Sequence, residues 1–72
     1  MYTVVRYFFR NGNEGDYVDN TYSKDKDTFE KALNHAERYA KGCRFEHYEI
    51  CKSDTMECVY QKNYEGLVED FR

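Results

Sequence analysis

The 72-residue sequence predicts a single α+β domain over residues 1–72. We expect an antiparallel four-stranded sheet in the chain order β-β-α-β-β, with one helix packed on one face and a short helical C-terminal tail. Three observations predict this class: a start rich in Val, Tyr and Phe, one amphipathic stretch in the middle, and two further β-rich stretches around a short turn. The length lies near the lower limit for an autonomous hydrophobic core.

The first two strands are predicted to form a hairpin. Residues 2–10 read "YTVVRYFFR", and the following "NGNEGD" contains two Gly and two Asn, which tolerate the positive φ of tight turns. Residues 17–23 form the return strand, whose weak alternation is typical of a sheet edge. On the first strand, one face would hold Thr3, Val5, Tyr7 and Phe9, and the other Tyr2, Val4, Arg6, Phe8 and Arg10.

The stretch "DTFEKALNHAERYAKG" predicts a helix over residues 27–41. Asp27 and Glu30 have the spacing of a capping box, and Gly42 provides a C-terminal stop. His35 is expected in solvent. Apolar residues recur with helical spacing at Phe29, Ala32, Leu33, Ala36, Tyr39 and Ala40.

The segments "CRFEHYEICK" and "MECVYQKN" predict a second hairpin around "SDT". A turn centred on Asp54 and Thr55 pairs Cys51 with Cys58, Ile50 with Val59, and Tyr48 with Gln61. The helix is expected to cover Tyr48, Ile50 and Val59. The opposite face would carry Phe45, His47, Glu49, Cys51, Cys58 and Tyr60.

The tail "NYEGLVEDFR" places its apolar residues at helical spacing, which predicts a short helix weakened by Gly66. Those apolar residues are Tyr64, Leu67, Val68 and Phe71.

One helix covers only one face of such a sheet, so the second face meets solvent, the tail or a partner. We expect the Arg6, Phe8 and Arg10 face to be the uncovered one. Aromatic rings and arginines dominate binding hot spots, which indicates a binding surface. In the alternative, the tail folds back over these rings and leaves the arginines at the margin.

Charge argues against binding nucleic acid by electrostatics alone, which needs a basic protein. The net charge is −3; residues 1–42 sum to zero, and residues 43–72 carry the whole excess. An acidic surface favours basic protein partners, or serves solubility. Aromatic rings beside Arg can also stack single-stranded bases, so a nucleic-acid module remains the second hypothesis.

No catalytic, cofactor-binding or metal site is expected. The chain is short for an enclosed pocket, and its three cysteines form no C-x-x-C pair. His47 would lie about 13 Å from Cys51 along a strand, too far to share one ion. We expect Cys51 and Cys58 to form a cross-strand disulfide or to be small, partly buried side chains. Cys43 is expected to contribute only to packing. An odd cysteine count, no signal peptide and no membrane span predict a cytoplasmic location.

The segments "YTVVRYFFRNG", "DTFEKALNHAERYAKG" and "FEHYEICKSDTMECVYQ" give the chain a layout that resembles small phage and mobile-element β-β-α-β-β proteins, including some anti-CRISPR proteins. The resemblance covers most of the chain and concerns layout alone. It implies a non-enzymatic inhibitor that docks on a host nucleic-acid-handling complex in the host cytoplasm and blocks it.

The sequence therefore predicts a small binding protein for a larger host protein or nucleoprotein complex. Direct nucleic-acid binding is the second hypothesis, and a homodimer that buries the uncovered face is the third. The predicted partner-binding residues are Arg6, Phe8, Arg10, His47 and Tyr60 on the sheet, and the acidic Glu65, Glu69 and Asp70.

Overall fold

The computed structural model describes residues 1–42 and 44–72, so the packing expected for Cys43 lies outside the described residues. It confirms the α+β class, with one helix on an antiparallel sheet of order β2-β1-β3-β4-β5. The predicted C-terminal helix is wrong, because the tail forms a fifth strand that pairs with β4. The elements are β1 (Tyr2–Gly12), β2 (Gly15–Tyr22), α1 (Phe29–Gly42), β3 (Phe45–Lys52), β4 (Cys58–Asn63) and β5 (Val68–Asp70).

The predicted first hairpin is confirmed. Gly12 pairs with Gly15 across a two-residue turn, and Gly15 has a φ of 123°, a conformation that L side chains rarely adopt. Strand β2 lies at the sheet edge, as its weak alternation predicted.

Helix α1 begins one residue later than the capping-box spacing indicated. The Lys31 amide donates to Thr28 Oγ1 at 3.2 Å, so Thr28 is the N-cap. Asp27 instead lies 3.6 Å from the Lys31 ammonium. This exposed pair contributes at most a few tenths of a kcal/mol (roughly 0.3–0.5).

The core lies between α1 and the sheet. Ala32 and Ala36 pack against Val4 and Ile50, and all four side chains are at most 1% exposed. Small alanines let the helix approach the strands closely. The prediction that the helix covers Tyr48, Ile50 and Val59 is confirmed, since all three belong to this core.

The predicted assignment of the two faces of β1 is wrong. Val4 pairs with Ile50 and Arg6 pairs with Tyr48, so the even-numbered residues of β1 face the helix. Paired residues of antiparallel strands share a face, and β3 therefore decides which side of β1 is covered. Alternation within β1 could not decide it, because both of its faces carry Val and aromatic residues.

A β-bulge explains the second error of orientation. Cys51 pairs with Cys58 as predicted, but the register shifts at once and Ile50 pairs with Tyr60 rather than Val59. Similarly, Tyr48 pairs with Lys62 rather than Gln61. Such a bulge places two residues of one strand opposite one of its neighbour. Both Val59 and Tyr60 therefore contact the helix side of the sheet.

Glu37 forms polar contacts between α1 and the sheet. The buried Tyr48 hydroxyl donates to Glu37 Oε1 at 3.0 Å, and the Lys62 ammonium donates to the same oxygen at 2.9 Å. The Lys62 hydrogen bond lowers the pKa of Glu37, against the effect of burial. Burial, followed by the bond to Glu37, raises the pKa of Tyr48.

The substitution Glu37→Ala is expected to lower the free energy of unfolding by about 1–3 kcal/mol, because it leaves the buried Tyr48 hydroxyl without an acceptor. Since the folded-state pKa of Glu37 is lowered, its contribution is present above the ordinary value of 4.5 and is lost as the pH falls through the folded-state pKa. Urea unfolding at neutral and acidic pH measures both effects. Glu30→Ala, at an exposed position of the same helix, is the control. An equal loss in both variants would contradict the role given to Glu37.

Candidate functional site

The side of the sheet away from α1, here called the open face, carries the odd-numbered residues of β1 and their partners. The helix of the described chain lies on the other side. Strand pairing assigns to the open face Thr3, Val5, Tyr7 and Phe9; Asp16, Val18, Asn20 and Tyr22; His47, Glu49 and Cys51; Cys58, Gln61 and Glu69.

Aromatic and apolar side chains occupy the β1–β2 half of the open face. Val18 is 49% exposed, and Tyr22 is 63% exposed. Phe9 packs edge-on against Tyr64, with ring centroids 6.2 Å apart, and Tyr64 is itself 59% exposed. Large rings held on a rigid sheet lose little conformational entropy on contact, which suits them to binding another surface.

The two sides of the sheet differ in charge. On the helix side, Asp19 lies 2.9 Å from Arg10 and Asp70 lies 2.8 Å from Arg72. On the open face, Asp16 lies 3.8 Å from Arg44, but Glu49 and Glu69 have no Lys or Arg partner among the residues that the structure describes. The Lys and Arg residues of the strands all lie on the helix side; they are Arg6, Arg10, Lys52 and Lys62.

Two of the predicted β1 residues, Arg6 and Phe8, line a groove on the helix side, and Arg10 lies beside Phe8. The Arg6 guanidinium lies 3.4 Å from the ring centroid of Tyr39 on α1, and Phe8 borders a groove of about 270 Å³ beside that ring. Arg10 lies 4.8 Å from the Phe8 ring and is bound to Asp19. These side chains contact one another and the helix, so they do not form the open surface expected of them.

The other predicted site residues are also divided between the two sides of the sheet. Tyr60 packs under Phe29, with ring centroids 5.5 Å apart. Asp70 binds Arg72, whose hydrogen bonds lower the pKa of Asp70 to about 2. Two predicted residues, His47 and Glu69, lie on the open face, and Glu65 lies in the turn before β5.

His47 lies near the middle of the open face and is held by three neighbours. Its ring stacks on Tyr7 with centroids 4.2 Å apart. Nδ1 contacts the Glu46 carboxylate, and Nε2 lies 3.6 Å from Glu49 Oε1. The imidazole therefore has a fixed orientation, with one nitrogen directed at each carboxylate.

Glu49 continues this cluster towards two cysteines. The ligand atoms of Glu49, Cys51 and Cys58 all lie within 4.8 Å of one another. Burial raises the pKa of Cys51 to about 11 and also raises that of Cys58. Because the thiolate is the reactive form, both thiols are weak nucleophiles near neutral pH.

His35 differs from its prediction. It is half-buried beside Tyr39, with ring centroids 4.9 Å apart. Burial lowers its pKa, with further lowering from Lys26, Arg6 and Arg38.

Sequence reasoning missed the aromatic half of the open face. The pattern of β1 predicts that Tyr7 and Phe9 lie on the covered face, and the pattern of residues 17–23 predicts only an edge strand. The available signal was the Val18–Tyr22 spacing within β2, which places both side chains on one face once the hairpin register is known.

Comparisons with protein-family models, curated proteins and solved structures find no match for this chain. Within the described residues, no helix has the length and apolar character needed to cross a membrane.

Proposed function

We propose that this chain is a non-enzymatic binding domain whose open face docks on the basic surface of a larger protein that handles nucleic acid. The observation that carries the proposal is the union, on the sheet face away from the helix, of exposed Val18, Tyr22 and Tyr64 with acidic Glu49 and Glu69. The rings supply contact area, and the carboxylates complement a basic partner.

Nucleic acid itself is the weaker candidate for this face. Phosphate binding needs Lys or Arg, and the strands direct theirs to the helix side. Arg10, one of the predicted contacts, is already bound to Asp19. An acidic, ring-bearing surface instead imitates the charge of the phosphate backbone towards a protein that binds it.

Inhibition follows as the proposed consequence of docking. A domain that covers the basic surface of a nucleic-acid-handling protein excludes its substrate by competition. The layout resemblance to phage and anti-CRISPR proteins supports the same role, and a host nucleoprotein complex in the cytoplasm is the corresponding proposed partner.

A matched pair of tyrosines on β2 tests the proposal. Tyr22 lies on the open face, whereas Tyr17 lies on the helix side and is 50% exposed. Wild type, Tyr22→Lys and Tyr17→Lys serve as baits in nuclease-treated host lysate. We expect wild type and Tyr17→Lys to capture basic nucleic-acid-binding proteins, and Tyr22→Lys to weaken their purified binding by about tenfold or more.

Three results would contradict the proposal. One is loss of the captured proteins with Tyr17→Lys rather than Tyr22→Lys. Another is tight, salt-sensitive binding of the wild type to free DNA or RNA oligonucleotides, which would favour the nucleic-acid module. The third is a dimer mass in sedimentation that Tyr22→Lys converts to monomer, which would show the face buried against a second copy.

A further inference from the structure

Cys51 and Cys58 lie directly opposite each other on β3 and β4. The Lys52 amide donates to the Glu57 carbonyl at 2.9 Å just beyond them, which makes the cysteines a non-hydrogen-bonded pair, the arrangement in which side chains approach most closely. Cys51 is only 3% exposed, whereas Cys58 is half-buried.

Glu49 brings a third ligand to this pair. It lies two residues before Cys51 and therefore on the same face, and its carboxylate is within 4.8 Å of both sulfur atoms. A tetrahedral zinc ion with Zn–S bonds of about 2.3 Å holds its sulfur ligands about 3.8 Å apart. The 4.8 Å limit exceeds this spacing by about 1 Å, so the two sulfur atoms lie close to the separation that zinc requires.

The surroundings of Glu49 fit a metal ligand. Metal-binding carboxylates are usually oriented by hydrogen bonds from a second layer of residues. Here His47 Nε2 lies 3.6 Å from Glu49 Oε1, slightly beyond hydrogen-bond distance, and the imidazole is held beside this carboxylate by Glu46 and by stacking on Tyr7. His47 and Cys51 need not share an ion, because Glu49 lies between them.

We infer that Glu49, Cys51 and Cys58 form a binding site for a thiophilic divalent cation of the zinc type. Two sulfur ligands favour Zn²⁺ over the oxygen-seeking Mg²⁺ and Ca²⁺, and a carboxylate oxygen completes three protein ligands. Glu49 and Cys58 are partly exposed on the open face, so a metal ion could reach the site from solvent. This inference does not depend on the proposed docking function.

Cobalt(II) is a suitable probe, because it occupies zinc sites and absorbs visible light. The full chain carrying Cys43→Ser, kept reduced, is titrated with Co²⁺. We expect one equivalent to produce tetrahedral visible bands with a thiolate-to-metal band in the near ultraviolet, and Zn²⁺ to remove both. Cys58→Ser and Glu49→Gln should each raise the Co²⁺ dissociation constant by about 100-fold or more, since even second-layer substitutions cost about 10–100-fold.

Glu57→Gln is the matched control, because this carboxylate adjoins Cys58 in sequence but lies 3.8 Å from Lys52 and outside the cluster. It should leave cobalt affinity unchanged. Circular dichroism checks that each variant is folded, and Cys58→Ser and Glu49→Gln leave the buried Cys51 unchanged. Absence of the bands, or bands of unchanged affinity in folded Cys58→Ser and Glu49→Gln, would overturn the inference.

Discussion

Replacing Ile50 by alanine is expected to lower the free energy of unfolding by about 2–5 kcal/mol. Ile50 is completely buried between α1 and the middle of the sheet, and it pairs with Val4 on one side and Tyr60 on the other. A cavity at this point removes contacts from both neighbours. Domains have roughly 0.05–0.15 kcal/mol of stability per residue, so the loss is a large part of the total here.

Urea unfolding followed by circular dichroism measures this change. Val18→Ala is the control, since Val18 is a β-branched strand residue that is 49% exposed on the open face. It should change stability by less than about 1 kcal/mol. Equal effects at the two positions would contradict the location of the core.

Ala32→Asp is expected to unfold most of the protein. Ala32 is fully buried where α1 meets the sheet, against a core that is apolar at this point. A buried, unpaired carboxylate costs several kcal/mol even after the protein relaxes. That is comparable with the whole stability of a domain of this size.

Far-ultraviolet circular dichroism at neutral pH measures the folded fraction. Asn34→Asp introduces the same charge two residues away, at an exposed position of the same helix, and should remain folded. A folded Ala32→Asp protein, or an unfolded Asn34→Asp protein, would show that a different side of α1 faces the strands.

Periodicity within one element was enough to predict the helix. Alanine at positions 32 and 36, one turn apart, marks the contact side of α1, and both are buried. Only the cap was displaced, because Asp27 and Thr28 both carry acceptor oxygens and the structure uses Thr28.

The side of each strand that faces the helix depends on how the strands pair with one another, which the pattern within one strand does not reveal. Val4 and Val5 are both buried, on opposite faces, so β1 alone gives no preference. The pairing with β3 decides which side meets the helix. The β-bulge next to the Cys51–Cys58 pair likewise turns Tyr60 towards the helix side, and no nearby residue in the sequence indicates this bulge.

The spacing of the apolar residues in the tail is compatible with either a short helix or a strand. Leu67, Val68 and Phe71 fit a helix, yet β5 adds to the edge of β4 through main-chain hydrogen bonds. The Phe71 amide donates to the Val59 carbonyl at 2.9 Å. The free hydrogen-bonding groups at the edge of β4 gain partners in this way. A helix of two turns that contains Gly66 would have only marginal stability.

Part of the open face could be predicted. Alternation correctly grouped His47, Glu49, Cys51 and Cys58, because these positions depend only on β3 and its confirmed cysteine pair. The prediction of no metal site rests on the distance from His47 to Cys51 and leaves out Glu49, which lies between them. The aromatic half was missed because it depends on the face of β1, which the sequence leaves undecided.

The proposed function requires that the partner covers the open face and leaves the helix side uncovered. Fluorotyrosine incorporation, with each ¹⁹F signal assigned by a Tyr→Phe variant, tests it when a soluble paramagnetic agent is added with and without the captured partner. We expect the signals of Tyr22 and Tyr64 to be broadened by the agent in the free protein and protected in the complex, while the signal of Tyr17 remains broadened in both. Protection of Tyr17 with continued broadening of Tyr22 and Tyr64 would contradict it.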